Sequence, residues 1–246
     1  MISIAIDGPS GAGKSTVAKK CAERFGFRYV DTGAIYRTIG LAAFNRGIDT
    51  KDSTAVVAIL PELDIDLVYN DDGEQRMILN GSDVSVEIRR PEISMCASNV
   101  SAIAAVRDYL TDMQRNMAKR YDVIMDGRDI GTVILPNADV KVFLTASAEA
   151  RADRRYKELI KKGSTVSYDE VLSDMKLRDE QDTKRAAAPL KAAEDAVYLD
   201  TSSMSFEESV DAVAKLIVEK TGRQPIAEQY KWRRSQLQKA QAFALA

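Results

Sequence analysis

The segment Gly8-Pro9-Ser10-Gly11-Ala12-Gly13-Lys14-Ser15 fits G-x-x-x-x-G-K-[ST] at every fixed position, and Thr16 follows it. Glycines at these places let the backbone approach an anion closely, so that successive N–H groups can surround phosphate oxygens at the start of a helix. Lys14 would bring a mobile positive charge to the β- and γ-phosphates, and the Ser15 hydroxyl would enter the shell of a Mg²⁺ ion. The pattern predicts that residues 8–16 bind a nucleoside triphosphate. It leaves open what receives the phosphoryl group.

Two further polar groups follow short apolar runs and should open beside this loop, because parallel sheets place their crevice outside the carboxyl ends of the strands. One is Asp31-Thr32-Gly33 with Tyr36 and Arg37; the other is Asp126-Gly127-Arg128-Asp129. Taken alone, Asp31 and Thr32 also suit a helix cap, Arg37 a solvated surface and Asp126 a strand end. A third cluster holds Arg151, Arg154 and Arg155, then Arg178, Asp182 and Arg185. The last three stand at i, i+4 and i+7, a spacing that shares one helix face. A solvated helix accounts for such charges. The functional alternative is a closing lid whose guanidinium groups, those of Arg154 and Arg155 included, reach the charge developing between donor and acceptor.

The elements that must position these residues alternate in type. Ile2–Ile6 reads as a strand, the glycine-rich turn follows, and Lys14–Arg24 has helical spacing through Val17, Cys21 and Phe25. Arg28–Val30 and Ala34–Phe44 repeat the strand-then-helix pattern. A helix is expected from about Ser98 to Lys119, then strands at Tyr121–Asp126, Asp139–Leu144 and Ala196–Leu199. Ser147 can cap a charged helix through Lys161 that Gly163 ends, and Ser167/Glu170 and Ser205/Glu208 have capping-box spacing. The order implies an α/β fold with a mostly parallel sheet covered by helices. Residues 61–91 break it: Leu63, Ile65 and Leu67 alternate with polar positions, and Asn70–Gly73 and Asn80-Gly81 are turn signals, so a small antiparallel insertion is expected.

Composition removes other classes. The 246 residues hold 35 Lys+Arg against 37 Asp+Glu, which gives no global case for a nucleic-acid binder. The absence of histidine removes histidine zinc sites and a histidine general base, and Cys21 and Cys96 make no disulfide framework. The N-terminus lacks a secretory pattern and no stretch reads as a membrane span, so a cytoplasmic location is expected. Residues 223–246, with five Lys/Arg against one Glu, read as a basic C-terminal tail, either a terminal helix or a binding arm.

Taken together, Gly8–Ser15, Asp31–Arg37, Asp126–Thr132 and Arg178–Leu190 resemble bacterial cytidylate kinases, within the nucleoside-monophosphate kinase family, over about residues 2–218. The resemblance implies a P-loop nucleoside-monophosphate kinase fold. Residues 1–60 and 92–222 would form its core, 61–91 a nucleotide-binding insertion and 151–185 a helical lid. It implies transfer of the γ-phosphoryl group of ATP, bound with Mg²⁺, to CMP or dCMP by a monomer with no nucleic-acid or membrane partner. By the same resemblance Thr32, Ser98, Arg107 and Asp129 are cytosine-side or acceptor-pocket contacts. Arg37, Arg128 and Arg185 are ligands of the monophosphate, and Arg178 and Asp182 a pair near the acceptor sugar. Thr32 stands where some relatives carry Ser, and Gln181 where some carry Arg. The remaining alternatives are a kinase for another acceptor such as UMP or shikimate, a GTP-dependent switch, for which an Asn-Lys-x-Asp string is lacking, and a nucleic-acid-associated ATPase using the tail.

Overall fold

The computed structural model describes residues 1–161 and 163–226. Five parallel strands form its centre: β1 (Ser3–Asp7), β2 (Arg28–Asp31), β6 (Val123–Gly127), β7 (Val140–Thr145) and β8 (Val197–Asp200), in the order β2-β6-β1-β7-β8. Alternation along each strand separates two cores. Ile4, Ile6, Ile124, Val140, Val142 and Leu144 pack on one face under α1 (Lys14–Phe25) and α8 (Phe206–Thr221), with Val17, Cys21, Phe25, Val213 and Ile217. Ala5, Val30, Val123 and Met125 point to the other face, under α2 (Thr32–Asn45), α4 (Pro91–Ser101) and α5 (Ala104–Arg120). Burial on both faces explains why these strands read as continuous apolar runs.

The insertion is antiparallel, as its alternation predicts. Strand β3 (Ile65–Tyr69) pairs with β4 (Gln75–Leu79) and β4 with the short β5 (Ser82–Asp83). Ile65, Leu67 and Met77 on its inner face join the core beside α2. Asn80 and Gly81, at φ 49° and 78°, turn β4 into β5. A short helix absent from the sequence reading, α3 (Ser53–Ile59), precedes the insertion, and Asp52 caps it.

The helix expected over Ser98–Lys119 is two helices, α4 and α5, and this corrects the sequence reading. Ile103 between them is extended, at φ −84° and ψ 118°. The break leaves the last carbonyls of α4 without intrahelical donors. The Arg107 side chain supplies one, donating from Nη1 to the Ser101 carbonyl at 3.0 Å. Both capping boxes are present, at Ser167/Glu170 opening α7 (Tyr168–Lys184) and at Ser205/Glu208 opening α8. Helix α6 (Ala148–Lys161) packs on α7 around Ala152, Val171 and Met175. Of the expected basic tail, Arg223 lies over the Phe27 ring and Ile226 donates its N–H to the Arg24 carbonyl. The tail from residue 227 lies outside the described residues.

Candidate active site

Strand register builds the site before any side chain is considered. Asp31 at the end of β2 lies beside Asp126 in β6, and Asp7 at the end of β1 lies beside Gly127. The segments leaving these three strands therefore emerge together at the carboxyl edge of the sheet. Between them is a cleft of about 180 Å³. It is lined by Ser10, Gly11, Lys14 and Ser15 on the β1 side, Asp31–Gly33, Tyr36 and Arg37 on the β2 side, and Asp126–Asp129 on the β6 side; Ser98 and Arg107 come from α4 and α5, and Arg178, Asp182 and Arg185 from the end of α7.

The loop from Gly8 to Gly13 is held by backbone constraints. Gly8 sits at φ 148°, and a Cβ there would stand 1.9 Å from the Leu144 carbonyl oxygen, so only glycine fits. Helix α1 closes its first bond from Val17 N–H to the Gly13 carbonyl at 3.0 Å. The N–H groups of Lys14, Ser15 and Thr16 thus belong to the helix's unbonded first turn and present partial positive charge to the cleft. Lys14 is buried, and its Nζ donates to the Pro9 carbonyl at 2.7 Å. Burial, and then the Arg128 charge, push the pKa of its ammonium well below the usual lysine range. An anion here would relieve both penalties.

Asp126 accepts from the Ser15 hydroxyl at 2.7 Å and from the Tyr29 hydroxyl at 2.8 Å. Burial, then the neighbouring Asp31 charge, raise its pKa. A hydroxyl and one buried carboxylate suit a cation that brings most of its oxygens as phosphate and water. No group of three or more His, Cys, Asp or Glu able to hold a metal occurs among the described residues, so a protein-only metal centre is not built there.

On the side of the cleft formed by the turn after β6 and the end of α7, arginines and carboxylates alternate. Arg107 pairs with Asp129, Asp129 lies 3.7 Å from Arg185 and Asp182 lies 3.9 Å from Arg185. Arg128 Nε donates to Asp182 at 2.6 Å. Burial pushes Asp182 upward, but Arg128, Arg185 and Arg178 overcome it and hold its carboxyl below the usual range. Even so the hydrogen-bonding capacity of the arginines is not filled: Arg37 Nη1, Arg178 Nε and Arg185 Nη2 are buried with no hydrogen-bond partner, the first and last held only by longer ion contacts to Asp31 and Asp129. Three guanidinium atoms with hydrogen bonds still to give at one cleft fit a dianionic phosphate.

Most of the expected residues come together here. Thr32 lines the cleft, although its hydroxyl donates to the Asp126 carbonyl at 2.7 Å. Ser98 reaches toward Gln181 at 3.4 Å. Arg185 caps α7 just beyond its last turn rather than lying on its face. Arg154 and Arg155 do not line the cleft: Arg154 donates to the Thr201 carbonyl at 2.6 Å and Arg155 pairs with Glu158. Burial, then the Arg128 charge, lower the pKa of Arg178, and Arg155 adds the least of the contributions. No residue of 61–91 lines the cleft; the insertion reaches it from behind through Gln75, which accepts from Asp31 N–H at 2.7 Å.

Spacing did not single out three residues that organise the site: Asp7, Gln75 and Asp179. Asp7 accepts from the N–H groups of Ile130 and Gly131, both at 2.7 Å, and so fixes the turn after Asp129. A strand-end carboxylate before the glycine-rich loop was its one available signal.

The family model described as cytidylate kinase matches residues 4–219. A cytidylate kinase from Caldicellulosiruptor bescii is 50% identical over 215 residues, covering 87% of this chain and 95% of the relative. One from Caldanaerobacter subterraneus subsp. tengcongensis is 50% identical over 220 residues, covering 89% and 96%. A third, from Thermosipho melanesiensis, is 47% identical over 217 residues, covering 88% and 97%.

Proposed function

This chain belongs to the cytidylate kinase family, and we infer from that membership and from the cleft that it transfers the γ-phosphoryl group of ATP to CMP or dCMP, yielding ADP and CDP or dCDP. The observation that carries the reading is the set of buried guanidinium atoms of Arg37, Arg178 and Arg185 that make no hydrogen bond and stand next to the phosphate loop. A triphosphate on the loop and a monophosphate under these arginines would meet at Lys14 and Arg128. We read this as the nucleoside-monophosphate kinase arrangement, with 61–91 as the nucleotide-binding insertion and α6–α7, within 151–185, as the lid.

The chemistry asks little of a side-chain base. The second ionisation of a phosphate monoester lies near ~6, so the acceptor is largely dianionic at neutral pH and is itself the nucleophile. The protein's task is to align two anions and to stabilise the transferring group. Residues 8–16 hold the donor phosphates through backbone N–H groups and Lys14. Arg37, Arg128 and Arg185 hold the acceptor phosphate, and Arg178 with Asp182 the sugar. Thr32, Ser98, Arg107 and Asp129 face the base. Ser15, with Asp126 behind it, would hold the Mg²⁺ that accompanies ATP, and that ion supplies neutralisation of charge on the β- and γ-phosphates. Arg154 and Arg155 would act only if the lid moves inward. The enzyme is read as a monomer.

An acceptor panel of CMP, dCMP, UMP, AMP and shikimate, with Mg-ATP as donor, tests the assignment. Rapid turnover with CMP or dCMP and slow turnover with the others is expected. Preference for UMP, AMP or shikimate would overturn it. No helix among the described residues is long and apolar enough to cross a membrane.

A further inference from the structure

Arg151, in the first turn of α6, is buried at 4% exposure, and its guanidinium spans three elements. Nε donates to the Ala146 carbonyl at 2.9 Å. Nη1 donates to the Ser10 carbonyl at 2.9 Å and to Asp179 Oδ1 at 3.1 Å, and Nη2 donates to Asp179 Oδ2 at 2.5 Å. The planar fork thus grips a carboxylate of α7 while one of its nitrogens holds a backbone oxygen of the phosphate loop. One turn earlier on the same face of α7, buried Met175 rests on the next loop residue: its methyl is 2.8 Å from where a Cβ on Gly11 would stand. Helix α7 therefore reaches the donor loop at two successive residues, at Gly11 directly through Met175 and at Ser10 by way of Arg151 on α6. From its next turn it sends Arg178, Asp182 and, at its cap, Arg185 into the acceptor cleft.

We propose that Arg151 and Asp179 are positioning residues that set the register between donor loop and acceptor arginines, by fixing α7 to the Ser10 carbonyl. The inference rests on the phosphoryl-transfer reading above. Neither residue needs to touch a substrate. The loop alone would bind ATP, and Arg37 and Arg128 would bind the acceptor phosphate. Alignment of the two phosphates depends on one stiff helix docked at both ends, and small misplacements of reacting groups cost rate rather than affinity. A second ion pair between the same helices provides the contrast: Lys176 and Glu149, 3.3 Å apart and more than half exposed, join α7 to α6 without reaching the loop. If the Arg151 pair only held the helices together, the two pairs would be equivalent in kind.

The test is steady-state kinetics of the full chain with CMP and Mg-ATP, alongside thermal unfolding. Asp179→Asn is expected to lower kcat by about tenfold or more while both KM values stay within about threefold of wild type. Asp179→Glu should recover part of the loss, Lys176→Ala should match wild type, and adding Arg151→Gln to Asp179→Asn should cost little more. Asp179 is only partly buried, so its variants carry the test if Arg151→Gln does not fold. Asp179→Asn with kcat within about twofold of wild type, or a loss that Lys176→Ala reproduces, overturns the inference. CMP-dependent turnover by the wild-type chain, read in the same experiment, separates that result from failure of the functional assignment.

Discussion

The donor loop and the acceptor cleft meet at Lys14 and Arg128, yet they are held by opposite means. The loop is shaped by backbone: a left-handed turn, a close approach at Gly8 that admits no side chain, and the unbonded N–H groups opening α1. Its one charged side chain rests on a carbonyl of the loop itself. The acceptor cleft is shaped by charge, with Arg107, Asp129, Arg185, Asp182 and Arg128 in alternation, drawn from α5, the turn after β6 and the end of α7. A backbone cradle needs no reorganisation when phosphate arrives, so its contribution is present in advance. A charge lattice adjusts instead, since an incoming phosphate must share Arg128 with Asp182. Donor-side substitutions should therefore strike the chemical step, and acceptor-side ones should strike binding and selectivity.

The largest expected effect is at Lys14. Lys14→Ala removes the only cation of the loop, at the point where charge moves between the two phosphates, and kcat should fall by about a thousandfold, or about 4 kcal/mol. Circular dichroism should remain near wild type, because the loop's shape does not depend on that side chain beyond its bond to Pro9. A loss confined to KM for ATP would place Lys14 in ground-state binding and erase the contrast with the acceptor side.

Next comes the carboxylate that joins the two regions. Asp7 accepts two backbone N–H bonds, which lower its pKa, but burial outweighs them and raises it from 3.8 to about 6. Asp182, similarly enclosed, is held low by arginines instead. With a folded pKa above its unfolded one, Asp7 gives a stability increment that is complete below about pH 4 and is lost as pH rises through about 6, of order 3 kcal/mol at most. Other carboxylates slope the opposite way, so the readout is a difference. The stability of wild type minus that of Asp7→Asn, from urea unfolding, should decline between about pH 4 and pH 6; a pH-independent difference would falsify the assignment.

Arg128→Ala should reduce kcat/KM for CMP by roughly a hundredfold, about 2.7 kcal/mol, through loss of a charge-assisted contact to the acceptor phosphate. It also leaves Asp182 without its closest partner. Initial rates at saturating Mg-ATP and varied CMP decide it, and a near-wild-type kcat/KM defeats the role given to Arg128.

These expectations differ in how far the sequence could carry them. The loop was legible because its determinants are contiguous: glycines, Lys14 and Ser15 within one turn, between an apolar strand and a helix with four-residue spacing. The two capping boxes and the Asn80-Gly81 turn were readable for the same reason. The break at Ala102 and Ile103 was not, since it depends on the Arg107 side chain satisfying Ser101 from six residues away. Helix α3, Ser53–Ile59, is too short for a hydrophobic period to declare itself. Arg151 stood in a recognisable charge cluster, but its partner Asp179 and its hold on Ser10 join positions 28 and 141 apart in sequence, beyond any local pattern. Most acceptor-side residues stood out by strand-end position or spacing, but their roles, and Ser98 and Arg107 altogether, came only from family resemblance, because a lattice assembled from three elements leaves no single contiguous signature.

The smallest and most specific effect is expected at Asp129, which should select the acceptor base more than it serves phosphoryl chemistry. Asp129 is buried between Arg107 and Arg185, at the far end of the lattice from Arg128. Arg107, the guanidinium that holds it, also lies over the Tyr36 ring, 5.3 Å from its centroid, so its position is fixed from two sides. A carboxylate can only accept hydrogen bonds. The exocyclic amine of cytosine offers a donor where uracil presents a carbonyl, so uracil would leave two acceptors facing each other. Asp129→Asn keeps the size, exchanges one acceptor for a donor and weakens the hold of Arg107. The ratio of kcat/KM for CMP over UMP should then fall by roughly tenfold, about 1.4 kcal/mol of differential transition-state binding. Matched titrations of both acceptors at saturating Mg-ATP read the ratio directly. An unchanged ratio with equal loss for both acceptors would mean that Asp129 organises the arginines rather than reading the base, and the acceptor cleft would then work, like the donor loop, through phosphate alone.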